Sequence, residues 1–100
     1  MQIRSLSKKD NELLTRIDEV LHYLWDPIGV RGVPPARDEY ESYMGHIFTL
    51  LKQNASVPQI SNHLRELRVV NMGAGRPDYS LSEDEIAEIL MDWKETLFPV

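Results

Sequence analysis

Few residues of this chain stand at spacings that support chemistry. Glu19 and His22 form a Glu-x-x-His pair, which on a helix shares one side and resembles the way helical di-iron proteins direct two ligands inward. Such a centre needs a second pair and two more carboxylates, and neither His46 nor His63 has an acidic residue three positions earlier. His22 also follows Leu21 at the border of an apolar stripe, so a histidine at the edge of the core explains it more simply. With no Cys in the chain, a nucleophile would be Ser, Thr or Lys. The Ser residues that stand out, Ser7, Ser56 and Ser82, have the spacing of helix caps. Gly73-Ala74-Gly75-Arg76 has the composition of a phosphate loop but the wrong place: it follows a helix, where carbonyls are exposed, and the next helix opens with Glu83, Asp84 and Glu85. No catalytic residue, metal ligand or cofactor is therefore assigned.

Two surface features remain. Asp84, Glu88, Asp92 and Glu95 recur at four- and three-residue spacing, where like charges repel by a few tenths of a kcal/mol per pair. Either Arg65, Arg68 or Lys94 neutralises this stripe from nearby, or a basic protein partner is steered onto it. The other feature is the segment from Trp25-Asp26-Pro27-Ile28-Gly29 through Val30 to Arg37, which has neither helical nor strand periodicity. Its structural reading buries Trp25 against Tyr40 and Tyr43 and turns the Asp26 carboxylate onto backbone N–H groups or onto Arg31 or Arg37, with Pro27 and Gly29 shaping the turn. Its functional reading presents Ile28, Val30, Arg31, Val33 and Arg37 to a partner, as long structured loops tend to do.

The elements that hold these features are helical. The first helix is capped by Ser7 with Asp10 three residues on, and Leu13, Leu14, Ile17, Val20, Leu21 and Leu24 make one stripe that Pro27 must end. A second begins near Arg37 or Asp38, with Asp38, Glu39 and Glu41 in its first turn and Tyr40, Tyr43, Met44, Ile47, Phe48 and Leu51 on one side. Ser56-Val57-Pro58-Gln59 opens a third, carrying Ile60, Leu64 and Leu67 in a stripe extended by Val57 and Val70; Gly73 stops it and Gly75-Arg76-Pro77-Asp78 forms a loop. Ser82 and Glu85 box the fourth, Leu81 and Ile86 staple it, and Ile86, Ile89, Leu90, Trp93 and Leu97 share its inner face until Pro99. The expectation is an all-α, compact four-helix single domain over 1–100, with helices near 8–25, 37–53, 57–72 and 83–97 and a long structured loop between the first two.

Composition bounds the function. The 100 residues carry a net charge of −5, divided as −2 over 1–51, +3 over 52–77 and −6 over 78–100. An acidic chain lacks the basic stripe that binding nucleic acid requires. Absence of Cys rules out a disulfide scaffold and favours a reducing compartment. No apolar run approaches the ~20 residues of a membrane span, and the N-terminus lacks a secretory core. These point to a cytoplasmic chain, monomer or homodimer, whose partner is a basic or neutral protein.

The motifs W-D-P-I-G at Trp25–Gly29 and D-E-Y-x-x-Y at Asp38–Tyr43, followed by Leu50-Leu51 and a short amphipathic helix, resemble a family of small bacterial proteins of unknown function. The resemblance covers roughly residues 10–72 and implies a small helical domain and a bacterial origin; it carries over no catalytic residue. The functional expectation is a non-catalytic protein-interaction module of the immunity, antitoxin or regulatory type. The alternatives are a small metal- or ligand-binding protein using Glu19 and His22, or a self-associating structural subunit.

Overall fold

Three of the four helices start where a serine hydroxyl and a side chain three residues later satisfy each other's backbone N–H groups. The computed structural model describes residues 6–73 and 79–99. In it α1 (Lys8–Glu19) opens with Ser7 accepting from the Asp10 N–H at 3.0 Å while Asp10 accepts from the Ser7 N–H at 3.1 Å. The same reciprocal box opens α3 (Val57–Glu66) at Ser56 and Gln59, and α4 (Glu83–Leu97) at Ser82 and Glu85. Removing the hydroxyl of Ser82 strips one acceptor from the first turn of α4, so Ser82→Ala is expected to lower stability by about 1 kcal/mol, read from the urea midpoint.

The fourth helix in the count, α2 (Glu41–Lys52), has no side-chain cap and starts later than the sequence predicts. Pro34–Ala36 form a single 3-10 turn, and turns at Glu39 and Glu41 follow it. Asp38 and Glu39 therefore precede the helix, leaving Glu41 as the acidic residue of its first turn. At this start Tyr40 is buried and its hydroxyl donates to Asp26 in the loop behind it.

The first helix also departs from a simple 3.6-residue period. Beyond Glu19 the chain widens into a π-helical segment, Val20–Trp25, closed by the Asp26 N–H donating to the Leu21 carbonyl at 2.9 Å, five residues back. The wider turn rotates Trp25 into the core, where it is fully buried, and turns Leu24 outward, against its predicted place in the stripe. A second widened turn, Leu67–Asn71, ends α3 and leaves Val70 exposed, against its predicted place in the stripe, before Gly73, which takes the left-handed conformation (φ 60°) expected of a helix stop. The predicted loop at Gly75–Asp78 lies outside the described residues, as does most of the glycine-rich Gly73–Arg76 stretch.

The four helices enclose one core. Leu13, Ile17 and Leu21 from α1 and its extension meet Ile47 and Leu51 of α2, Ile60 and Leu64 of α3, and Ile86 and Leu90 of α4, all fully buried. Burial of each such side chain stabilises by roughly 1.5–3 kcal/mol. The radius of gyration, 13.1 Å, is that expected for a packed chain of this length. Between α2 and α3 a tight turn is made by Asn54 in the left-handed region (φ 61°), and its Oδ1 accepts from the buried Lys94 ammonium at 2.6 Å. The architecture is all-α, with no strand among the described residues and a loop of residues 26–40 between α1 and α2. No helix among them is long and apolar enough to cross a membrane.

Candidate interaction surface at the loop between α1 and α2

Asp26 fixes this loop. It is fully buried, and its own backbone is left-handed (φ 38°), a conformation that Asp tolerates better than most residues. Its carboxylate accepts from the Val30 N–H at 2.8 Å, the Arg31 N–H at 2.9 Å, the Tyr40 hydroxyl at 2.8 Å and the Tyr79 hydroxyl. Burial pushes the Asp26 carboxyl up, but the hydrogen bonds from Tyr79, Tyr40, Val30 and Arg31 outweigh it and hold the group below its ordinary value. The Tyr40 oxygen accepts in turn from the Ile28 N–H at 3.1 Å. The arginines named as alternative partners go elsewhere. Arg37 makes a two-pronged pair with Asp18 at 3.1 and 2.9 Å, whereas Arg31 donates to the Tyr23 carbonyl and lies 3.8 Å over the Tyr79 ring.

Trp25 anchors the loop's first end. Its ring lies 5.8 Å from that of Tyr40, and its indole N–H donates to Glu83 at 2.9 Å. Glu83, buried at the start of α4, is also held by Arg68 at 2.8 Å from the widened end of α3. Burial raises the Glu83 carboxyl, and the bonds from Arg68 and Trp25 overcome that and lower it. Ser80 donates to the Trp25 carbonyl and the Leu81 N–H to the Leu24 carbonyl. Four separate stretches of chain thus meet around residues 24–26.

On this frame several apolar side chains point into water. Val33 is 46% exposed, Tyr23 45% and Ile28 39%. Tyr23, Val33 and Arg37, with His22, Gly32 and Pro34, line a cleft of about 390 Å³, within the range of ligand and side-chain pockets. Val30 does not join them; it is half-buried and packs against the core. Tyr43 likewise packs on the core edge as predicted, while Pro27 is buried and Gly29 left-handed (φ 68°). Sequence reasoning missed Tyr79 and Glu83, whose roles depend on partners far along the chain, and Tyr23, whose place depends on how the loop folds back beside it.

The acidic stripe lies elsewhere. Asp84, Glu88, Asp92 and Glu95 are all exposed, on the side of α4 opposite Ile86 and Leu90, and extend about 16 Å along the axis. Asp84 accepts from Ser61 and stands 4.0 Å from Arg65. Among the described residues no cation pairs with Glu88, Asp92 or Glu95: Arg68 holds Glu83 and Lys94 holds Asn54. Of the predicted loop residues, the structure therefore brings Val33 and Arg37 together at the cleft, leaves Ile28, Val30 and Arg31 outside its lining, and brings none of them onto the stripe.

The Glu19 and His22 pair does not converge. Glu19 binds Arg16 at 2.9 Å on the outer side of α1, while His22 is 3% exposed under the Tyr23 ring edge, its Nδ1 without a partner. No group of three or more His, Cys, Asp or Glu among the described residues could hold a metal ion. His46 and His63 do meet, on α2 and α3, with ring centroids 4.5 Å apart. Burial and then the neighbouring His46 push the His63 imidazole below its ordinary value. Comparison with protein-family models, with curated proteins and with solved structures finds no match to this chain.

Proposed function

We propose that the chain is a non-catalytic module that binds another protein through the loop between α1 and α2. One observation carries this reading: the loop is locked by a buried carboxylate with four donors, yet Val33 stands exposed in the wall of the cleft and Ile28 exposed on the same loop. A connection that served only the fold would gain by covering such side chains. Holding them rigid lowers the ordering cost of association, and Tyr and Arg beside them are residue types that dominate interface energetics. The unneutralised Glu88, Asp92 and Glu95 add a field that attracts a basic partner and speeds its approach. A bacterial immunity, antitoxin or enzyme-regulating role fits this chemistry, the partner being a basic toxin or enzyme.

The test is recovery of a partner from a bacterial lysate, followed with purified components. Val33→Asp is expected to weaken binding at least tenfold, and Glu88→Lys with Asp92→Lys to slow association and flatten its salt dependence. Unchanged binding by Val33→Asp would remove the loop from the interface. The cleft also favours a second reading, a small-ligand site beside His22; a ligand whose resonance shifts map to Tyr23 and His22 while partner binding is absent would select it.

A further inference from the structure

We propose that His46 and His63 form a two-imidazole clip for a borderline divalent cation of the zinc class, joining α2 to α3. The helices are consecutive, linked by the short turn at Asn54, and each histidine lies six residues from the helix end facing that turn, Lys52 on one side and Val57 on the other. At these equal distances from the turn the two rings meet across α2 and α3. Their centroids are 4.5 Å apart with planes at 46°. Two imidazoles on one tetrahedral ion, with metal–nitrogen bonds near 2.0–2.1 Å, place their centroids about 5 Å apart, close to the separation of these two rings. Neither ring has a hydrogen bond or an ion pair with a described residue, which leaves ring nitrogens available. His46 is exposed and His63 half-buried, so an ion can arrive from water.

The donor set defines the ion. Imidazole suits zinc, nickel and copper, whereas magnesium and calcium demand oxygen. Glu66 stands one turn beyond His63, and its negative charge acts on that ring, adding attraction for a cation. No third His, Cys, Asp or Glu among the described residues completes the shell, so water fills the remaining positions and the site is open. It is separate from the loop surface and does not depend on the proposed partner.

The experiment titrates zinc into protein carrying no affinity tag, following the histidine ring resonances and the melting temperature. The expected result is that His46 and His63 signals move together and saturate at one ion per chain, that His22 stays unmoved, and that melting rises by several degrees; magnesium does neither. His46→Gln and His63→Gln are each expected to weaken uptake at least about tenfold, since even groups behind a ligand are worth ~10–100-fold, with circular dichroism confirming their fold. Uptake that is absent, that survives either substitution, or that perturbs His22 instead would overturn the clip. Should a variant fail to fold, the wild-type resonances decide alone.

Discussion

Asp26→Ala is expected to destabilise the protein by about 4 kcal/mol or more, because it leaves two backbone N–H groups and two phenols without their shared acceptor. Hydrogen bonds to a charged group are each worth roughly 1.5–3 kcal/mol, and they do not add fully in a cluster. Ala also gains nothing at a backbone φ of 38°. Against a total stability of roughly 5–15 kcal/mol, the variant should melt about 20 °C lower. Asp26→Asn keeps the shape but sets an amide donor against donors, and should cost about 2–3 kcal/mol. The pH dependence separates charge from shape. Since the native carboxyl is held below its ordinary 3.8, its contribution is present above that value and is lost as pH falls through the native one. The wild type should therefore lose its advantage over Asp26→Asn in urea titrations below about pH 4. A constant gap down to the acid transition would show that the charge contributes nothing.

Arg68→Ala is the second large effect, expected at about 3 kcal/mol, because it abandons a carboxylate that is almost wholly buried. Glu83→Gln should cost less, about 1–2 kcal/mol, since the amide oxygen still accepts from the Trp25 indole. Glu83 is likewise held below its ordinary 4.5, so the Arg68→Ala deficit should shrink as pH falls below that value and Glu83 takes a proton. An Arg68→Ala midpoint within about 0.5 kcal/mol of wild type would mean that water already reaches Glu83.

What the sequence made legible was what the chain decides locally. Ser7, Ser56 and Ser82 each find their partner three residues away, so their boxes could be read directly, and the stripes of α3 and α4 follow from one helical period. Leu24 and Trp25 could not be placed, because a single widened turn exchanges their directions and nothing in the local pattern announces it. The start of α2 was missed as well: Asp38 and Glu39 suit a helical first turn, but successive turns carry the chain through them to Tyr40, whose hydroxyl is held by Asp26. In the candidate surface, Ile28 and Val33 were visible as exposed loop positions, whereas Arg37 is half-buried against Asp18. Tyr23 and Tyr79 were not visible, since Tyr79 gains its role from Asp26, 53 residues earlier, and Tyr23 from the cleft that the folded loop closes beside it.

The pairs Trp25–Glu83 and Asp26–Tyr79 span 58 and 53 residues, so the shape of the loop is decided by chain made long after it. A ribosome-bound chain that has released α1 to α3 alone carries the whole loop and cannot yet hold its form. If the loop is the binding surface proposed above, its competence should arrive with the last helix rather than with the loop itself, and a nick near residue 80 should abolish partner binding while cutting none of the exposed loop residues.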